Sequence, residues 1–276
     1  MQPFENWLIT APVPLIAVVL LGVMVATATV AALARRSLIG RLGELKSGAD
    51  GYIISGILGL LALLMSFTFA IAVDRYETRR HLVLEESNAI GTAYLRAQLL
   101  PEPHRERLSD LLVRYTDNRI ALAPLKPGDE QDRRIVTNDA LVTQIWAATA
   151  AATPSIQAYE YSGSLIEAVN AVIDLDASRK AARAAHVPPR VFAALILYQL
   201  IGAGVLGCVI SSRIDWTAAS LLFLLFTGVL ILMLDLDRPL DGGVRMSQRP
   251  MQDLQRFVHS APFDSAPRPT GGGPGG

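Results

Sequence analysis

Few residues in this 276-residue chain have the types and spacing that chemistry requires. Gly202-Ala203-Gly204-Val205-Leu206-Gly207 matches G-x-G-x-x-G, the pattern that cradles a pyrophosphate at a helix N-terminus. Here it lies inside an uncharged run, with no strand pattern before it and no acidic residue at the expected distance. Small residues that let two helices approach closely account for it. His81, His104, His186 and His259 are scattered and lack ligand spacing, and Cys208 is the only cysteine, so no internal disulfide is possible. There is no H-E-x-x-H, no phosphate-binding loop and no G-x-S-x-G. Asp235, Asp237 and Asp241 follow the last apolar run. Three carboxylates could hold a hard cation, but they could equally cap a helix end or pair with Arg238. No nucleophile with a base, no cofactor site and no metal cluster is indicated, so an enzyme is not expected.

The elements that would position any site are dominated by apolar runs. Half of the chain is apolar (51%), only 18% is charged and the net charge is zero, whereas a soluble domain carries about 25% charged residues. Zero net charge gives no reason to expect nucleic acid as a partner. Ala11–Ala34 has 24 residues without a charge, Tyr52–Val73 has 22, Val191–Ile210 has 20 and Trp216–Leu234 has 19. About 20 apolar residues span the hydrocarbon core, so four transmembrane helices are expected. The first is too long for a signal-peptide core and has no Lys or Arg before it.

Between the second and third runs lie 117 residues, Asp74 to Arg190, that are polar and periodic. Leu108, Leu111, Leu112, Tyr115 and Leu122 share one face at helical spacing. Ile135, Val142, Ile145, Trp146 and Thr149 mark a further helix, which Pro154 is expected to end. Ile156, Tyr159, Gly163, Ile166 and Ile173 mark another. The resulting reading is an all-α integral membrane protein. An N-terminal membrane hairpin covers 1–73, a helical region 74–190, a second membrane hairpin 191–234, and a tail 235–276 that is expected to be disordered from about residue 261, where it turns Pro/Gly-rich. With four spans, the termini and the helical region share a side. That side carries ten basic residues near the span ends against five on the other (Arg35, Arg36, Arg41, Lys46, Arg213), which places it in the cytoplasm.

None of the spans contains a charge. Proton-coupled carriers and pumps keep a carboxylate or a base within the membrane. A passive pore remains open, because channels can gate through apolar constrictions that dewet. The second span also runs without a breaker into Asp74-Arg75-Tyr76-Glu77-Thr78-Arg79-Arg80 and on to Leu100.

This segment resembles the bestrophin family, and most closely its bacterial bestrophin-like branch. Bacterial bestrophins end their second span with a run like G-F-R-N-S-A-S-Y-D-R-F-x-E-A-R-K. Here Ser66 to Arg80 reads SFTFAIAVDRYETRR, with the Phe, the Asp-Arg-aromatic triplet and the basic residues in the same order. After the last span the family has an acidic residue and then E-D-P-F-G, which Asp235-Leu236-Asp237-Arg238-Pro239-Leu240 resembles. The chain departs from the family in having Thr68-Phe69 for Arg-Asn, Gly59 where a large apolar residue is usual, and acidic residues too sparse after the last span for a calcium cluster.

The resemblance implies a homopentameric ion channel in a bacterial inner membrane. Its partners would be the lipid bilayer, four further copies and inorganic ions. The second span would line the pore, with an apolar neck at Gly59, Leu63 and Phe67. Asp74, Arg75, Tyr76, Arg79 and Arg80 would form the juxtamembrane motif, and Asp235 and Asp237 the acidic motif after the last span. Read from the residues alone, the face bearing the neck triplet is ordinary packing surface. A non-conducting membrane sensor or scaffold, whose helical region binds a partner or ligand, is the alternative.

Overall fold

A computed structural model of the chain describes residues 11–42, 50–210, 213–238 and 246–260. Within them lie eight helices and no strand: α1 (Val13–Leu42), α2 (Asp50–Ala97), α3 (His104–Leu122), α4 (Asp129–Ile156), α5 (Tyr161–Ala184), α6 (Pro189–Val209), α7 (Arg213–Asp237) and α8 (Arg249–His259). Each of the four uncharged runs coincides, to within two residues at its ends, with part of a helical stretch long and apolar enough to cross a membrane. The chain is an all-α, multi-pass membrane protein. Asp241, the last two residues of the hairpin turn before Arg213, and everything after Ser260 lie outside the described residues.

The helices divide between two compact units. The first contains α1, the N-terminal part of α2, α6 and α7. Ile16, Leu20, Met24 and Ala28 recur every four residues on α1 and are buried, as are Phe192 and Leu195 of α6 and Phe223 and Leu230 of α7. Val18, Leu33, Leu197, Leu221 and Leu224 point outward and are exposed, a pattern costly in water and natural in lipid. Thr27, Thr29 and Thr68 donate their hydroxyls to the carbonyls of Val23, Val25 and Leu64, four residues back. In hydrocarbon no water would satisfy those hydroxyls.

The glycine run of α6 is where this unit packs most closely. A Cβ at Gly207 would lie 2.2 Å from the Ala28 carbonyl oxygen, and one at Gly204 would meet Thr27 at 3.7 Å. The absent side chain lets the α6 and α1 backbones touch, which is the means of helix association in a solvent that supplies no hydrophobic drive.

The second unit contains the rest of α2 with α3, α4, α5 and α8. Leu108, Leu111, Leu112, Tyr115 and Leu122 are all buried, as their spacing predicts. The loop ahead of α4 turns through Gly128 at φ +154°, a conformation that strains any residue with a Cβ. Met251, Leu254 and Val258 put the inner face of α8 into the same core.

Three local expectations need correction. Pro154 does not end α4, which runs on to Ile156. The proline falls in the last turn, where only one backbone bond is lost. Neighbouring hydroxyls also bond to the chain there, Thr153 to the Thr149 carbonyl and Ser155 to the Ala152 carbonyl. Trp146 is 44% exposed, on the outer side of α4, while Leu141, Ile145 and Ala148 form its inner face. Tyr159 is exposed in the turn between helices, and Leu165, Ala168, Val169 and Val172 form the buried stripe of α5. On α4 the expected Ile145 and Thr149 are buried and only Trp146 beside them is turned out, whereas on α5 the buried Leu165 and Val172 each lie one position before the expected Ile166 and Ile173.

Candidate functional site

Helix α2 carries most of the residues singled out by sequence, and it runs 48 residues from Asp50 to Ala97 without interruption. Its membrane part has two unlike sides. Leu61, Met65, Thr68 and Ala72 are buried against the other helices of the first unit. Gly59, Leu63 and Phe67 lie four residues apart and share the opposite side. Phe67 is 62% exposed and Leu63 52% exposed, and a Cβ at Gly59 would meet nothing within 4 Å. The chain itself therefore leaves this apolar face uncovered.

At a rotation of about 100° per residue, the line through Phe67 continues through Asp74, Thr78, His81, Glu85, Asn88 and Thr92. All six are exposed. One stripe thus changes from apolar to polar between Phe67 and Asp74. His81 and Glu85 pair on it, Nδ1 to Oε1, at 3.3 Å. The other juxtamembrane residues spread around the helix. Arg75 and Tyr76 are half-buried, Arg79 is buried, and Arg80 is exposed.

Of the acidic residues after the last span, Asp235 and Asp237 are among the described residues, and they differ in setting. Asp237 is buried, and its Oδ1 accepts a hydrogen bond from the Val187 amide at 2.9 Å. His186 Nδ1 lies 3.4 Å from its other carboxylate oxygen and 3.1 Å from its carbonyl. Asp237 thus ties the end of α7 to the turn that opens α6. Asp235 is half-buried nearby on the same helix. Among the described residues, no three His, Cys, Asp or Glu side chains converge as a metal site would require.

The densest polar cluster was not singled out by sequence. Glu86, on the inner side of α2, is fully buried. Arg119 of α3 addresses it from one side, with Nε 3.0 Å from Oε1 and Nη2 3.3 Å from Oε2. The Nε contact is off the line of a well-directed hydrogen bond. Arg179 of α5 pairs with Oε2 from another side, and the Tyr115 hydroxyl donates to Oε1 at 2.7 Å. Asp176 of α5 completes the cluster, accepting from Arg119 Nη1 at 3.3 Å, from Asn138 Nδ2 at 2.8 Å and from Lys180 at 2.6 Å. Glu86 and Asp176 thus face Arg119, Arg179 and Lys180, and Asp139, paired with Lys180 at the exposed edge, brings the charges into balance.

Burial pushes the Tyr115 phenol well above its ordinary value, helped by the Glu86 charge. Burial pulls Arg179 down from the usual arginine range. Burial is the largest influence on Arg119 and opposes its charge, but Glu86, Tyr115 and Asp176 together outweigh it and leave Arg119 raised. A sequence signal existed: Val83, Glu86 and Ile90 follow helical spacing, as do Leu112, Tyr115 and Arg119, and Val169, Val172 and Asp176. Charged residues on apolar faces mark a buried network.

The family model for a bestrophin-like domain matches residues 14–251. The chain belongs to the bestrophin-like family. Crystal structures of a bacterial bestrophin homolog from Klebsiella pneumoniae share its fold. One superposes with a TM-score of 0.68 at 13% identity, covering 88% of this chain and 97% of that one. Another, solved by Zn-SAD phasing, gives 0.65 at 12% identity with the same coverage. A membrane protein variant of unstated source gives 0.69 at 12% identity, again over 88% and 97%. Nothing among curated proteins matches. At such identities, a bestrophin-like fold persists through near-complete replacement of side chains, so the residues that carry function must be argued from this chain.

Proposed function

We propose that this bestrophin-like chain is one subunit of a homopentameric ion channel, with α2 lining the pore and Gly59, Leu63 and Phe67 forming its apolar neck. The observation that carries the reading is the two-sided burial of α2: its own chain covers Leu61, Met65 and Ala72 and leaves Leu63 and Phe67 bare. Fivefold repetition would set these bare faces around an axis. Rings of Leu63 and Phe67 side chains would offer an ion no ligand to replace its hydration shell. Water would leave such a constriction readily, so small changes in radius would switch conduction. The neck would select by dehydration and size rather than by charge. The stripe from Asp74 to Thr92 would line the wider, polar part of the pathway.

On the charge count near the span ends, the helical unit and both termini face the cytoplasm of a bacterial inner membrane. Asp74, Arg75, Tyr76, Arg79 and Arg80 form the junction at the head-group layer, and Asp235 and Asp237 act at the end of α7.

Purified protein in planar bilayers tests the reading. We expect a conductance that rises when Phe67 or Leu63 is replaced by Ala, together with a native mass of five subunits. A silent pentamer, unchanged by either substitution, would refute it. A monomer or dimer would favour the sensor or scaffold.

A further inference from the structure

Gln199 is the least expected side chain in the membrane unit. It lies on α6, in the middle of an uncharged run, and is completely buried. Its Nε2 donates to the Phe226 carbonyl of α7 at 3.4 Å and to the Met65 thioether of α2 at 3.8 Å. Its Oε1 has no partner among the described residues. Turning the amide over would set its oxygen against two acceptors, so the hydrogen bonds themselves fix the orientation. A buried amide with an unmatched acceptor is costly, and Met would fill nearly the same volume at no such cost. The amide therefore works against stability, and what it provides is direction.

That direction is aimed at the neck. Met65 stands two residues from both Leu63 and Phe67, about 200° around the helix from each. It is the part of α2 directly behind the bare face. Thr68, the other buried polar group of α2 at this level, spends its hydroxyl within its own helix. One turn further along α6, Gly202 sits against Leu58 of α2. Gln199 thus joins three helices at one depth, through one stretched hydrogen bond and one weak contact to sulfur. Such a joint sets a register yet yields easily.

We propose that Gln199 is a positioning residue for the neck: its amide registers α2 against α6 and α7 at the depth of Leu63 and Phe67. The proposal rests on the pore reading for its consequence in current, but not for its geometry.

The test is Gln199→Met, read in three ways. Thermal midpoint in detergent should stay level or rise, and a fall would mean that the amide is simply stabilising. Intrachain distances between nitroxides at Leu63→Cys and Leu197→Cys, in a Cys208→Ala background diluted with unlabelled chains, should shift or broaden. Superimposable distributions would overturn the proposal. In bilayers the open-to-closed ratio should change about fivefold, the size of effect that one ordinary hydrogen bond has on an equilibrium. Wild-type current that the variant leaves unaltered overturns the role of Gln199 and spares the pore. A shifted distance distribution in a protein that never conducts does the reverse. Met65→Leu is the second variant, since it removes the sulfur acceptor and leaves the amide in place. It should move the distance distribution in the same direction, and no movement counts against the proposal even if Gln199→Met fails to fold.

Discussion

Arg119 faces Glu86 with two nitrogens on two oxygens, at 3.0 and 3.3 Å, and both side chains are buried. Arg179 closes on the same carboxylate. Taking such groups from water costs as much as their attraction returns, so the network adds little net stability over an apolar core. Removing one member is different, because it leaves charge buried and unmatched. Glu86→Ala strands Arg179, leaves Arg119 with Asp176 alone, and should destabilise the helical unit by about 3–5 kcal/mol. Replacing Glu86, Arg119 and Arg179 together by Met should recover most of that loss. Thermal denaturation followed by circular dichroism separates the two variants, and equal midpoints would show the network to be energetically inert.

The same cluster gives a pH dependence on the alkaline side. Tyr115 is raised by burial and then by Glu86. Lys180 feels burial in the opposite sense, but hydrogen bonds to Asp139 and Asp176 outweigh it and leave its ammonium raised. Both groups hold their protons more tightly folded than unfolded. Their contribution is complete below the unfolded values, about pH 10, and fades as pH climbs through the folded ones. Denaturant midpoints should therefore fall as pH rises above about 10, and fall less steeply in Tyr115→Phe. A flat profile over that range would contradict the assignment.

Gly207 and Gly59 should respond oppositely to the same change. Glycine to alanine in a helix is worth up to about 1 kcal/mol from backbone entropy alone. At Gly59 the added methyl meets open space, so Gly59→Ala should be neutral or stabilising. At Gly207 it would sit 2.2 Å from a backbone oxygen of α1. Neither backbone can yield cheaply, and Gly207→Ala should lose about 1–3 kcal/mol, as overpacking does. Melting in detergent, with the two variants side by side, reads the difference.

Much of this architecture was legible because its signals are long. A run of 20 uncharged residues admits few readings, and Leu108, Leu111, Leu112 and Tyr115 repeat a helical face well enough to identify their own core. Where a signal is one residue wide, reading failed. Trp146 next to Ile145 offers no local reason to choose which side faces in, and in the structure Ile145 does. Glu85 and Glu86 differ in the same way: one lies on the exposed stripe and the other at the centre of the buried network, and only the partners on α3 and α5 decide. Gln199 was visible as a polar residue in an apolar run, but its meaning depends on Met65, 134 positions away.

Asp237 allows the two chemistries open to the acidic residues after the last span to be separated. As a cap, it satisfies the Val187 amide, which would otherwise be buried without an acceptor. Asp237→Asn keeps an oxygen in place and should cost little. Asp237→Ala removes it and should cost about 1–3 kcal/mol, the desolvation penalty of an orphaned donor. As a hard-cation ligand, Asp237 would respond to its metal instead. The wild-type melting temperature would then rise with added calcium and fall with chelator, and Asn would be nearly as damaging as Ala, because a ligand charge is lost in both. The geometry at Val187 predicts the first pattern, with no calcium dependence. A calcium-dependent midpoint abolished by Asp237→Asn would reassign this residue from holding the chain to holding an ion.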